Sequence, residues 1–121
     1  MFFVEADKSK NIMTIAFTEH VGAVEMERGL ESVRSVVVEM QPGFALLANL
    51  TGLESMDADC APYIGTIMEE LAKSNLKQVV RVIPDPKKDI GLTIISRFHY
   101  GPDIHVTTVE SLAEAMESLS T

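Results

Sequence analysis

The chain has 121 residues, 46% of them hydrophobic, and a formal net charge of −8. That size suits a single domain over 1–121 with a core of its own, and one cysteine excludes an internal disulfide or a cysteine-based zinc cage. The acidic balance argues against nucleic acid as a partner, and no apolar run approaches the roughly 20 residues that span a bilayer, so neither nucleic-acid binding nor membrane insertion is expected.

The start, MFFVEADKSK, lacks the basic region of a secretory signal, and a cytoplasmic location is the expectation. Phe2–Glu5 reads as an edge strand and Asp7–Asn11 as a polar turn. Ile12–Thr18 alternates with period two, Met13, Ile15 and Phe17 on one side, which predicts a second strand antiparallel to the first. The two phenylalanines on an edge predict a homodimer, the alternative being that Phe2 or Phe3 folds under a helix of the same chain. From Val21 to Met40 the residues Met26, Leu30, Val33, Val37 and Met40 recur at helical spacing, and Gln41-Pro42-Gly43 ends the helix.

Phe44–Leu50 is short and almost wholly apolar, as in a central strand covered on both faces, with Leu47 at its middle. Thr51-Gly52 offers turn chemistry, and the elbow Glu54–Cys60 leads into a helix from Asp59 to about Ser74-Asn75. Pro62 falls in the first turn of that helix, and Ile64, Ile67, Met68 and Leu71 form its apolar stripe. Gln78–Ile83 predicts a further buried strand. Asp85-Pro86 opens a helix carrying Ile90, Ile94, Ile95 and Phe98, although Leu92–Ile95 also has strand propensity. After Gly101-Pro102, Ile104–Thr107 predicts the last strand. A capping box at Thr107 and Glu110 opens a last helix with Val109, Leu112, Met116 and Leu119 buried. The order β-β-α-β-α-β-α-β-α predicts an α/β domain, a mostly parallel five-stranded sheet with about four helices. Neither GxGxxG nor GxxxxGK[ST] occurs, so these phosphate-binding loops, and a nucleotide cofactor held by them, are not expected.

Leu47-Ala48-Asn49-Leu50-Thr51-Gly52-Leu53 followed by Met56-Asp57-Ala58-Asp59-Cys60, with Ile104-His105-Val106 and Ser111–Ala115 near the end, resembles the STAS domain family, the SpoIIAA-like fold of anti-sigma-factor antagonists. The resemblance implies that scaffold and a regulatory role. In the family's switch proteins a serine after the elbow aspartate is phosphorylated. Here that position is Ala58, the next serine is replaced by Asp59, and the glycine by Cys60, so the resemblance implies no phospho-switch at the elbow. Lipid-carrying CRAL-TRIO domains share the architecture.

Asp57 and Asp59 have the chemistry of an acid/base or metal pair, yet capping the following helix is the commoner role for such residues. Cys60 at a helix start has the position of a reactive thiolate, yet two flanking aspartates oppose ionisation and a buried apolar filler is the commoner fate. His20, His99 and His105 have no ligand spacing with one another. Ser55 precedes the aspartate and suits a turn. The sequence therefore predicts no catalytic residues, no metal and no cofactor. It predicts a module that docks a protein partner through Ser55, Met56, Asp57, Ala58, Asp59 and Cys60 and the following helix. A carrier of a small apolar or lipid-like ligand between sheet and helices is the alternative, and an enzyme using Asp57, Asp59 and Cys60 a third reading.

Overall fold

The computed structural model describes residues 1–85, 96 and 99–120. Its elements, in chain order, are β1 (Phe2–Asp7), β2 (Ile12–Val21), α1 (Ala23–Val37), β3 (Ala45–Met56), α2 (Ala61–Lys73), β4 (Gln78–Val82), β5 (His105–Val109) and α3 (Leu112–Leu119). The five strands lie side by side in chain order, β1-β2-β3-β4-β5. The β1–β2 pair is antiparallel and the three remaining pairs are parallel. The sheet is therefore mixed, which corrects the expectation of a mostly parallel one. The antiparallel pair follows from the polar turn Lys8–Asn11, too short for any crossover, in which the Asp7 carboxylate accepts bonds from Ser9 Oγ at 2.7 Å and Lys10 N–H at 3.2 Å.

The described residues hold three α-helices rather than about four. The expected helix carrying Ile90, Ile94, Ile95 and Phe98 lies outside the described residues. The Tyr100 N–H donates to Ser96 O at 2.9 Å, a bond of helical spacing. Among the described residues, no helix is long and apolar enough to cross a membrane.

Right-handed crossovers between adjacent parallel strands place α1 and α2 on one face of the sheet. There Met26, Leu30 and Val33 of α1 and Ile64, Ile67, Met68 and Leu71 of α2 close over Met13, Ile15, Phe17, Leu46, Leu50 and Val79. Phe2 joins this core. Its ring meets Phe17 edge-on at 5.2 Å, and a Cβ on Gly29 would lie 2.5 Å from it, so β1 sits close to α1 because that position carries no side chain. Phe3 points the other way and is 50% exposed.

The opposite face carries a second, smaller core of Leu47, Val80, Val82 and Ala115, covered by α3. The chain's own last helix thus covers the β3–β5 part of this face. The buried stripe differs from the expected one. Ala115 is fully buried, while Leu112 and Met116 are 45% and 48% exposed and Val109 belongs to β5. The shift has a clear cause. The helix is capped at Ser111, whose Oγ accepts the Glu114 N–H at 3.2 Å, rather than at Thr107, which the sheet retains as part of β5. Ser111→Ala is expected to cost about 1 kcal/mol, read as a lower urea midpoint with unchanged slope.

Candidate functional site

The elbow is shorter than the sequence indicates. Glu54, Ser55 and Met56 belong to β3, which runs on past Thr51-Gly52. The Asn49 carboxamide oxygen accepts the Thr51 N–H at 3.0 Å and the Thr51 hydroxyl at 2.6 Å, so a local bend absorbs the turn chemistry and the strand continues. Beyond Asn49, where pairing with β4 ends, β3 keeps β2 as its neighbour, Thr18–Val21 lying beside Gly52–Met56. β2 follows this bend by shifting register on either side of Thr18 and Glu19, and Glu19 takes a left-handed φ of 58°.

The turn proper is Asp57 followed by a single 3-10 turn over Ala58–Cys60, which leads straight into α2 with Pro62 in its first turn, as expected. Two main-chain and thiol bonds tie it to the end of β2. The Asp57 N–H donates to Val21 O at 3.0 Å, and the Cys60 S–H to the same oxygen at 3.5 Å. Cys60 is fully buried. Burial first, and the Asp57 carboxylate second, push its thiol up, which disfavours the thiolate that a nucleophilic role needs. Of the six predicted site residues, it alone offers a partner no side-chain surface. Met56 is partly buried against the core, and Ser55, Asp57, Ala58 and Asp59 are exposed.

Neither aspartate caps through its side chain, which corrects the capping expectation. The Asp57 carboxylate is drawn instead to His20, whose Nε2 lies 3.2 Å from Oδ1. Asp59 sits in the first turn, where its charge complements the N-terminal end of the helix. The other ring nitrogen of His20, Nδ1, lies 2.7 Å from Ser55 Oγ. A carboxylate only accepts, so in the neutral ring Nε2–H donates to Asp57 and Nδ1 accepts the Ser55 hydroxyl. The Ser55–His20–Asp57 line has the connectivity of a hydrolase triad with the ring nitrogens exchanged. His20 and Asp57 are 55% and 54% exposed, however, so water competes for every member, and the arrangement acts as a clamp between the end of β2 and the turn. Sequence spacing could not reveal His20. It reaches Ser55 only because the parallel register places the two residues side by side.

Among the described residues, no three His, Cys, Asp or Glu side chains converge on a metal-sized site. The apolar gap between the sheet and α1–α2, lined by Phe17, Met26, Leu46, Ile67 and Tyr100 among others, measures about 40 Å³. A ligand pocket needs about 300 Å³ or more, so this gap is too small for one, and the larger clefts, about 540 Å³ between β1–β3 and α3 and about 320 Å³ beside β4 and β5, are open and partly polar rather than closed and apolar.

No family model matches the sequence, and no curated protein matches it. Solved structures do. The anti-sigma factor antagonist SpoIIAA in its unphosphorylated form superposes with a TM-score of 0.67 at 15% identity, covering 99% of this chain and 98% of that one. An uncharacterized protein with a SpoIIAA-like fold from Shewanella loihica PV-4 gives 0.72 at 13% identity, over 98% and 92%. An anti-sigma factor antagonist from Mycobacterium paratuberculosis gives 0.64 at 18%, over 100% and 94%. The chain has the STAS, SpoIIAA-like fold.

Proposed function

We propose that this domain is a non-catalytic regulatory or scaffolding module that binds a protein partner through the β3–α2 turn, Ser55–Cys60, and the first turns of α2. The observation that carries this reading is the charge and fixity of the turn. Glu19, Glu54, Asp57 and Asp59 stand exposed around it, and the two bonds to Val21 O, with the exposed His20 contacts beside them, tie it to the end of β2. A preorganised acidic knob binds at low ordering cost and selects a basic patch on its partner. The fold likeness to anti-sigma factor antagonists supports a regulatory role for such contacts. Ala58 and the engaged hydroxyl of Ser55 argue for binding that is not switched by phosphate at the elbow.

A photo-crosslinking residue at Ala58, compared with one at Glu31 on the exposed side of α1, tests the proposal in cells of the source organism. The expected result is one discrete protein adduct from position 58, none from 31, and loss of the adduct when Asp57→Lys and Asp59→Lys are combined. Adducts independent of position, or insensitive to the charge reversal, overturn it.

A further inference from the structure

We propose that the free edge of β1 is a self-pairing surface, on which a second copy of this chain docks antiparallel across a two-fold axis to make one continuous sheet. β1 is the outermost strand and pairs on one side only, with β2. The ladder fixes which main-chain groups look outward. Thr18 N–H donates to Met1 O at 2.8 Å and the Met1 nitrogen donates to Thr18 O, so Met1 and Thr18 form a hydrogen-bonded pair. Bonded and unbonded pairs alternate in an antiparallel ladder. Phe3, Glu5 and Asp7 therefore bond to β2, and the N–H and C=O groups of Phe2, Val4 and Ala6 point away from the sheet. Of the devices that blunt natural edges, these residues carry only the exposed charges of Glu5 and Asp7, and no proline, lysine or register shift.

Water satisfies such groups one at a time, whereas an extended strand takes the whole row at once, and the side chains select a second copy as that strand. Centred on Val4, the pairing sets Val4 against Val4 of the second copy and Phe2 against Ala6 of the second copy, each pair exchanging both main-chain bonds. On the face toward α1, the bulkiest residue then meets the smallest, and all partners are apolar. On the outer face Glu5 lies directly across from Phe3, so no like charges are directly opposed, and the two Glu5 carboxylates, both exposed to solvent, meet only as diagonal neighbours. The two half-exposed Phe3 rings become diagonal neighbours, close enough for aromatic contact. Moving the centre to Glu5 would instead set the two Glu5 carboxylates directly opposite, which is destabilising. The edge lies two strands away from the β3–α2 turn, so this pairing and the docking proposed there stand or fall separately.

Sedimentation velocity of the full chain over a micromolar concentration series, with amide hydrogen exchange at both ends of the series, tests this. A reversible dimer is expected. At high concentration the amides of Phe2, Val4 and Ala6 become protected, while those of Phe3, Glu5 and Asp7 are protected throughout. Val4→Pro removes one outward donor without touching a bond to β2 and is expected to give a monomer where Val4→Ala still gives a dimer. Should Val4→Pro fail to fold, the exchange pattern of the unsubstituted chain decides. A monomer at every concentration overturns the proposal. So does a dimer that a folded Val4→Pro retains, or one whose Phe2, Val4 and Ala6 amides stay unprotected.

Discussion

Phe44→Ala is expected to lower stability by about 3–5 kcal/mol, the range for truncating a buried aromatic residue. Phe44 is fully buried and lies just ahead of β3, in the core closed by α1 and α2. Its carbonyl accepts the Lys77 N–H at 3.0 Å, so the same residue joins the approaches to β3 and β4. Deleting the ring removes its transfer free energy and leaves a void walled by the sheet and two helices, which collapse only in part. Urea denaturation read by linear extrapolation measures the loss. Val38→Ala is the control, because Val38 is 79% exposed and its change should stay within about 0.5 kcal/mol. A cost below about 2 kcal/mol for Phe44→Ala would mean that this end of the sheet repacks freely.

Leu47→Ala is expected to cost about 2–5 kcal/mol, and to do so by a different route. Leu47 lies on the middle strand but on the opposite face, where the buried core is Leu47, Val80, Val82 and Ala115, with Ile12, Val109 and Leu119 partly buried against it. So small a cluster has little to share a cavity with. The helix α3 should therefore open locally before the sheet does, and amide exchange across Leu112–Leu119 should rise more than exchange in β2 or β3. Uniform acceleration through the whole chain would show that the two faces unfold as one unit.

These two faces mark where the sequence was readable. Strict alternation in Ile12–Phe17 and the apolar run at Phe44–Leu50 sufficed for β2 and β3, because the buried positions Met13, Ile15, Phe17, Leu46, Leu47 and Leu50 fall within those stretches. Their far ends were not readable. Thr51-Gly52 looks like a stop, but the Asn49 side chain takes over the bend and the strand runs on to Met56, which moved the elbow's start from Glu54 to Asp57. At the other end of the molecule, two capping patterns overlap, Thr107 with Glu110 and Ser111 with Glu114, and pairing of Thr107 with Val80 in the sheet decided between them. The exposed turn that the proposed docking uses, Ser55 and Asp57–Asp59, lies within the stretch that the sequence marks as the candidate elbow. What contacts it, His20, was not legible, since its role depends on a register between strands far apart in sequence.

The side-by-side order of the strands bears on how the chain is made. Each strand leaving the ribosome finds its neighbour already in place, so the sheet can grow one strand at a time from the N-terminal side. The second face cannot keep pace. Leu47, Val80 and Val82 wait for Leu112–Leu119, and at about 5–20 residues per second the stretch from Val82 to Leu119 takes about 2–7 s to synthesise. For those seconds a growing sheet presents an apolar strip on one side, and a nascent-chain chaperone has a defined place and a defined time at which to hold it.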